Sequence, residues 1–284
     1  MASETVAVSH GLKPFVKWPG GKRWLTARYP SLFNLTEGAR YFEPFVGGAA
    51  VFAHLRPKKA LLSDSVEELV STYNAVRENP SRVQELLARH GERHSRHYYY
   101  MVRDSVPTDE AHVAARFLYL NRTCFNGMYR VNRMGKFNVP IGTRTNVLFP
   151  DDDFHAWSEL LRSASVLVAD YSTVLPGVQR GDFVFADPPY TVRHNMNGFR
   201  KYNESLFSWT DQIRLASLLV AAATRGANVV VTNANHPEVS SLYPASFKRR
   251  AIRRRSTIAA SRDKRGVFEE LILWTEGAID ESVF

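Results

Sequence analysis

The chain has a single cysteine, Cys124, among its 284 residues. One cysteine excludes an internal disulfide and a metal cluster held by cysteines, and this cysteine usage is typical of a cytoplasmic protein. Long apolar runs are absent as well, so the sequence predicts no membrane-spanning helix. Residues 1–11 are mixed and polar and lack the apolar segment of a secretory signal. Together these absences predict a protein of the cytoplasm.

Acidic residues are also in deficit, with 28 Asp and Glu against 37 Lys and Arg and a formal net charge of +9. This balance favours a polyanionic partner such as nucleic acid. His90, His94 and His97 share one predicted helical face, but no set of acids accompanies them. We therefore predict a solvated basic face there and no metal site. The apolar fraction of 44% is enough for an ordinary globular core.

The most informative stretch is an apolar segment followed by an acid, two prolines and a tyrosine. Residues 183–186 are typical of a buried strand in a parallel sheet, and Pro188 and Pro189 must end it because they cannot donate to a β-ladder. Open α/β sheets bind ligands at the carboxyl ends of their strands. There, the Asp187 carboxylate, the Pro188 carbonyl and the Tyr190 ring suit a planar exocyclic amine. The alternative is a strand-ending turn with a capping aspartate.

Two acids follow predicted strands earlier in the chain. Residues 41–52 have the pattern of a strand, a glycine turn and a helix start, which is the first unit of a doubly wound sheet. Glu43 precedes the turn and suits a positively charged amine on a ligand. Residues 59–64 form a second predicted strand ending in Asp64, where such folds place an acid on ribose hydroxyls. The alternative for Asp64 is a helix N-cap.

A third segment joins an apolar piece to two glycines and a lysine. Gly20 and Gly21 permit a close approach of the backbone to a ligand, and Trp18 adds a flat surface beside them. Lys22 follows, but the spacing of a Walker phosphate loop is missing. A plain tight turn is the alternative.

Residues 121–140 differ from the rest in being rich in Arg, Asn and aromatic residues, with Asn-Gly and Met-Gly turns typical of a hairpin. A basic hairpin can read bases in a DNA groove and wedge base steps apart, although an ordinary surface hairpin remains the alternative. Residues 67–120 have helical periodicity. Other predicted elements are strands at 166–170, 227–233 and 268–274, a helix at 207–223, and a basic edge strand near phosphates at 248–255.

Taken in order, these motifs resemble the Dam-type (class D12) DNA adenine methyltransferases. The resemblance is carried by Lys-Trp-Pro-Gly-Gly-Lys at 17–22, by Asn-Arg-x-x-Phe-Asn-Gly-x-x-Arg at 121–130 and by Asp-Pro-Pro-Tyr at 187–190. It covers most of the chain. It implies an enzyme that transfers a methyl group from S-adenosylmethionine to adenine N6 in double-stranded DNA, within GATC or a GAT-containing site.

The resemblance also implies a fold. We expect an α/β protein with a Rossmann-like methyltransferase sheet and an inserted helical and β-hairpin DNA-recognition subdomain. Residues 1–66 and 152–284 would form the discontinuous catalytic domain. Residues 67–151 would form the recognition subdomain, with its hairpin at about 121–141.

Roles for individual residues come from matching positions. The methyl donor would be bound by Trp18, Lys22, Glu43, Phe45, Gly47, Asp64, Asp170 and Asp187. Asp64 would take the ribose hydroxyls and Asp170 the adenine amino group of the donor. The target adenine would be held by Asp187, Pro188, Pro189 and Tyr190. DNA would be contacted by Lys17, Arg122, Phe125, Asn126, Met128, Arg130, Asn132 and Pro140.

Two departures from the family pattern are visible. The second loop glycine of the family is replaced by Ala49, and residues 233–236 differ from the family, so we assign that segment no role. The alternatives are an inactive or regulatory DNA-binding paralogue and a methyltransferase acting on another amine, such as RNA adenine, cytosine N4 or a protein glutamine. We expect a monomer that acts on DNA, with a cognate restriction endonuclease as a candidate partner.

Overall fold

The computed structural model describes residues 11–132, 134–190, 207–255 and 267–284, so the prediction about a signal at residues 1–11 falls almost wholly outside it. Within these ranges, seven strands form one sheet in the order β3-β2-β1-β4-β5-β7-β6. The strands are β1 (Tyr41–Glu43), β2 (Ala60–Asp64), β3 (Ala164–Val168), β4 (Phe183–Ala186), β5 (Asn228–Ala234), β6 (Phe247–Arg255) and β7 (Val267–Thr275).

Strands β1 to β5 are parallel, whereas β7 runs antiparallel to both β5 and β6. The predicted α/β class and Rossmann-like sheet are therefore confirmed. The chain winds outward from β1 in one direction and from β4 in the other. A doubly wound sheet binds ligands in the crevice at such a switch point, outside the carboxyl ends of the strands.

Helices cover both faces of the sheet because its central strands are apolar on both sides. In β4, Phe183 and Phe185 belong to one core, and Val184 and Ala186 belong to the other. The helices are α1 (Arg23–Arg28), α2 (Ala50–Leu55), α3 (Glu67–Glu78), α4 (Pro80–Glu92), α5 (Arg96–Asp104), α6 (Glu110–Thr123), α7 (Phe154–Leu161), α8 (Tyr171–Val174), α9 (Trp209–Thr224) and α10 (Pro237–Ser241). In the described part of the chain, none of them has the length and apolarity needed to cross a bilayer.

Helices α3 to α6 lie between β2 and β3 in the chain, where the sequence predicts the inserted subdomain. Helix α3 also bonds directly to the sheet: Asn74 Nδ2 donates to the Val166 carbonyl at 3.2 Å, and Arg77 donates to the Ala164 carbonyl at 3.2 Å. This helix therefore connects the two parts. A boundary at residue 67 stays a prediction.

The segment predicted as a β-hairpin at 121–141 begins instead as helix, because α6 continues to Thr123. A 3-10 turn follows at Phe125–Gly127, in which Asn126 has a φ of +56° that no strand adopts. Two isolated antiparallel bridges, Cys124 to Ile141 and Val131 to Phe137, close residues 124–141 into a loop. We call residues 124–141 the recognition loop. Its described residues contain no continuous β-ladder.

Candidate active site

The side chains predicted to do chemistry meet at the switch point of the sheet. Glu43 is the last residue of β1, and Asp187 directly follows β4, which pairs with β1 in parallel. Neighbouring parallel strands end at the same edge of a sheet, so both carboxyl groups lie in the crevice predicted to bind ligands.

Asp187 is held by two side chains, one on each carboxylate oxygen. Lys22 Nζ donates to Oδ2 at 2.6 Å, and Thr232 Oγ1 donates to Oδ1 at 2.7 Å. The Tyr190 hydroxyl lies 3.4 Å from Oδ1. Thr232 reaches this oxygen because β5 pairs with β4 in parallel register. The carboxylate is thus fixed in orientation and kept as a hydrogen-bond acceptor.

Lys22 is buried and makes several polar contacts. Its Nζ donates to the Gly20 carbonyl at 2.7 Å as well as to Asp187, and it lies 3.6 Å from a carboxylate oxygen of Glu270 on β7. The ammonium also faces the Tyr190 ring at 5.4 Å from the centroid. One buried cation therefore lies between two carboxylates, and it compensates charge that the low-polarity surroundings would otherwise disfavour.

The turn that contains Pro188 and Pro189 is held by a side chain of α9. Gln212 Nε2 donates to the Pro189 carbonyl at 3.0 Å, and Asn233 Nδ2 donates to Gln212 Oε1 at 3.0 Å. Gln212 and Asn233 are both buried, and so is Pro188. These bonds fix the turn that carries Asp187, so Asn233, to which the sequence assigns no role, stabilises it through Gln212.

Glu43 is buried and accepts a hydrogen bond of 2.8 Å from the Tyr41 hydroxyl. Burial, together with the negative charge of Asp187, raises the pKa of Glu43 to about 8. A buried acid with a raised pKa is stabilised as a carboxylate when a cation binds beside it. This matches the predicted partner, a positively charged amine.

The glycine turn after β1 is shaped by close contacts. Gly47 has a φ of +44°, and a Cβ atom there would lie 2.5 Å from Cδ1 of Trp18. The Gly47 N–H donates to Asp64 Oδ2 at 3.2 Å, and the Val66 N–H donates to Oδ1 at 3.1 Å. The Tyr73 hydroxyl donates to the Gly47 carbonyl at 2.8 Å. Gly47 is therefore required for backbone shape and for room, and Asp64 connects the turn to α3.

Phe45 contacts Tyr171, and Asp170 precedes Tyr171 in the chain. The Phe45 ring stacks on Tyr171 with centroids 5.5 Å apart, and Asp170 caps α8 by accepting the Ser172 N–H at 2.9 Å. Asp170 itself is exposed after β3. The eight residues predicted to bind the donor thus lie at the ends of β1 and β2, in the turn after β1, directly after β4, in the segment after β3 and in the N-terminal segment 17–22.

Comparison with known proteins identifies the family. The model of the D12 class N6 adenine-specific DNA methyltransferases matches residues 18–258. The chain belongs to this family. The Type II methyltransferase M1.LlaDCHI of Lactococcus lactis subsp. cremoris is 34% identical over 94% of this chain and 96% of its own length. M.MjaIII of Methanocaldococcus jannaschii is 33% identical over 92% and 99%. A DNA adenine methylase of Salmonella typhi is 29% identical over 92% and 94%. The predicted family and reaction are confirmed: the chain is an adenine-specific DNA methyltransferase.

The recognition loop of this D12 methyltransferase presents most of the predicted DNA-contacting side chains. Phe125 is 44% exposed although it is a large apolar residue, and Asn126 and Pro140 are exposed beside it. Met128 and Arg130 are partly buried, and Arg130 Nε donates to Asn138 Oδ1 at 2.8 Å. A contact of these side chains with DNA stays a prediction.

Asn132 has a local role within the loop. Its Oδ1 accepts the backbone N–H groups of Met134 at 2.9 Å and of Lys136 at 3.0 Å. These bonds close the turn at the tip of the recognition loop. A contact of Asn132 with DNA stays a prediction.

The prediction that Arg122 contacts DNA is wrong. Arg122 is fully buried in α6, and its guanidinium donates to both carboxylate oxygens of Asp152. It also donates to the carbonyls of Val147 at 2.6 Å and Phe15 at 2.7 Å. A guanidinium so enclosed holds the end of the insertion and the N-terminal segment on α6, and it has no surface for a phosphate or base.

Lys17 lies beside the recognition loop. Burial together with the charges of Arg144 and Arg122 lowers the pKa of Lys17 to about 8. Its Nζ lies 5.2 Å from the centre of the Phe149 ring. A partly desolvated lysine is a stronger hydrogen-bond donor than one in water, which suits the predicted contact with a base.

The predicted histidine face is partly buried by tyrosines. His90 Nδ1 lies 2.9 Å from the Tyr98 hydroxyl, and His94 Nδ1 lies 2.9 Å from the Tyr119 hydroxyl. Burial lowers the pKa of His90 to about 4, so it is neutral at pH 7. Across the described residues, no three His, Cys, Asp or Glu side chains are grouped as ligands of a metal ion would be.

Proposed function

We propose that this chain transfers the methyl group of S-adenosylmethionine to N6 of an adenine that has left the DNA duplex and entered the pocket at Asp187. The observation that carries the proposal is the Asp187 carboxylate, fixed by Lys22 and Thr232 at the switch point of the sheet. A fixed acceptor at this place can align an amine without any rearrangement of its own.

The donor-side residues fit the chemistry of S-adenosylmethionine. Glu43 is a buried acid with a pKa of about 8 that would be stabilised by the ammonium group of the donor. Gly47 allows close backbone approach, and Asp64 and Asp170 would bind the ribose hydroxyls and the adenine amino group. Trp18 and Phe45 would provide apolar walls, and Lys22 would complete the pocket. When bound, S-adenosylmethionine supplies an electrophilic methyl group on a sulfonium.

Asp187 and the Pro188 carbonyl would accept the two hydrogens of adenine N6. The N6 lone pair is delocalised into the ring and is therefore a poor nucleophile. Two acceptors favour a more pyramidal nitrogen, which localises the lone pair toward the methyl group. Tyr190 would stack on the base, and the Pro188-Pro189 turn fixes the direction of attack. As the new N–C bond forms, the bond between the methyl group and the donor sulfur breaks and leaves a neutral thioether. The amine then loses its proton to Asp187 or to water.

Access to N6 requires base flipping, which costs roughly a few kcal/mol. We assign the wedge to Phe125, Asn126 and Met128, which lie on or beside the exposed tip of the 3-10 turn. Arg130 and Pro140 would read bases within GATC or a GAT-containing site, and Lys17 would read a flanking base.

We further infer that the enzyme acts as a cytoplasmic monomer on double-stranded DNA. Some relatives are named as Type II methyltransferases and others as DNA adenine methylases. These names support two alternatives, an enzyme paired with a cognate restriction endonuclease and an enzyme that acts alone.

Asp187→Ala tests the proposal. The substitution should abolish transfer of labelled methyl groups to a DNA duplex, because the amine loses its acceptor, while DNA binding stays close to that of the wild type. Asp151→Ala is the control, since Asp151 forms an exposed ion pair with Lys13 and neither residue has a predicted role in the site. Near-native turnover by Asp187→Ala would contradict the proposed role. Failure of the wild-type chain to bind S-adenosylmethionine in calorimetry would favour an inactive DNA-binding paralogue.

A further inference from the structure

One side chain of α6 attaches the segment that carries Lys17 and Trp18. Asn121 Oδ1 accepts the Lys17 N–H at 2.9 Å, and Asn121 Nδ2 donates to the Lys17 carbonyl at 2.8 Å. The amide thus satisfies both backbone groups of Lys17, as a neighbouring strand would. Asn121 is 2% exposed, so it does not itself face DNA.

The recognition loop touches the same segment at two further points. A Cβ atom on Gly127 would lie 2.9 Å from Cδ of Lys17, so the lysine stem lies against the loop backbone. Trp18 stacks on Tyr129 with centroids 5.6 Å apart and planes 25° apart. Lys17, which is proposed to read a base, and Trp18, which is proposed to line the donor pocket, therefore both contact the recognition loop.

The other end of this segment reaches the catalytic carboxylate. Lys22 donates to Asp187 at 2.6 Å and to the Gly20 carbonyl at 2.7 Å. Residues 17–22 therefore run from the recognition loop to Asp187 in contact with both. A displacement of residues 17–22 would therefore move Lys17 at the proposed DNA contact and Trp18 and Lys22 at the proposed donor site together.

We propose that Asn121 is a positioning residue that couples base reading by Lys17 to the methyl-donor site. The inference rests on the function proposed above. Because Asn121 holds residues 17–18 on α6, contacts made by a correct DNA site are transmitted to Trp18 and Lys22. Coupling between two binding sites is reciprocal, so correct DNA and the donor change each other's affinity by the same factor.

Calorimetry of S-adenosylhomocysteine binding, with and without a duplex carrying the site found by methylation mapping, measures this coupling. For the wild-type chain we expect the duplex to tighten binding at least about five-fold. Asn121→Ala removes both hydrogen bonds to Lys17 and should reduce the factor below about two-fold. Asn74→Ala is the matched control, since within the described ranges the Asn74 amide bonds the Val166 carbonyl on β3 and should keep the wild-type factor.

Wild-type coupling in Asn121→Ala, or its absence from the wild-type chain, would overturn the inference. If thermal melting shows that Asn121→Ala does not fold, Tyr129→Leu takes its place, because it removes the stack on Trp18. It also removes the hydroxyl contact with Glu68 and the ring contacts with Phe117 and Phe137. It should also lower the coupling factor. Methyl transfer by the wild-type chain separates the two proposals: no transfer contradicts the proposed function, whereas transfer without coupling contradicts this inference alone.

Discussion

Thr232 orients the Asp187 carboxylate through a hydrogen bond of 2.7 Å and, as we propose, does so for the bound adenine. Thr232→Val keeps the shape and removes the hydroxyl. A hydrogen bond to a charged group contributes about 1.5–3 kcal/mol, so we expect the single-turnover rate to fall about 10- to 100-fold, with the KM for the donor unchanged.

Rapid-quench measurement at saturating DNA and donor checks this prediction. Thr72→Val is the control, because Thr72 is buried and its hydroxyl donates to the Glu68 carbonyl of its own helix. A Thr232→Val rate within two-fold of the control would show that Lys22 alone suffices to orient Asp187.

Glu43 makes the stability of the fold depend on pH. Its ordinary pKa is 4.5, and burial raises the pKa in the folded protein to about 8. Below pH 4.5 the carboxyl group is protonated in both states. As the pH rises toward 8, the unfolded chain releases the proton while the folded chain keeps it, so the free energy of unfolding falls.

Glu43→Gln should remove this fall, because glutamine does not titrate. Between pH 5 and pH 8.5 we expect the wild-type chain to lose more unfolding free energy than the variant, by an amount on the order of a few kcal/mol. Urea denaturation at the two pH values measures the difference. Equal losses in both proteins would mean that Glu43 is ionised in the folded state.

The residues that the sequence did not identify have partners that are distant in the chain. Thr232 belongs to a strand that the sequence predicts, but its contact with Asp187 depends on β4 and β5 being neighbours. Arg122 is of a residue type that often contacts DNA, but in the fold it bonds Asp152 and Phe15, which are distant from it in the chain. Sequence pattern defines residue types at sheet edges, whereas burial of a charge depends on tertiary packing.

At the scale of elements, β1, β2 and β4 were predictable because each is a short, largely apolar run that ends at or just before an acid. The recognition loop was less so: the helical ending of α6 depends on Asn121, Arg122 and Thr123 all being buried. The basic strand β6 lies at the edge of the sheet as predicted. However, Lys248 pairs with Glu276 and Glu281, which reduces the positive charge available for phosphates.

The turn between β1 and α2 carries strain at Ala49. Ala49 caps α2 with a φ of +51° and a ψ of +34°, a left-handed conformation that glycine adopts more readily. The family commonly has glycine there. Ala49→Gly should therefore raise the free energy of unfolding by about 0.5–1 kcal/mol, because relief of strain exceeds the added flexibility of the unfolded chain.

Urea denaturation with Ala53→Gly as the control checks this. Ala53 is buried inside α2, so the same substitution there should destabilise by about 1 kcal/mol or more. Destabilisation by both substitutions to a similar extent would contradict the strain at Ala49.

For the whole molecule, catalysis and base reading depend on how the insertion meets the sheet. The sheet supplies Glu43 and Asp187 at the switch point, and the insertion supplies α6 and the recognition loop. Residues 17–22 lie between the two, in contact with Asn121 on one side and Asp187 on the other. The net charge of +9 favours general attraction to DNA, and we propose that the choice of site depends on the recognition loop.

The central claim is that Asp187 aligns the amine of a flipped adenine at a defined DNA site. Base-resolution mapping of N6-methyladenine in plasmid from cells expressing this chain, beside cells expressing Asp187→Ala, tests it most directly. The account predicts complete modification of one short adenine-containing site, within GATC or a GAT-containing sequence, and none with the variant. Scattered modification without a common site, modification of cytosine instead, or equal modification by the variant would contradict it.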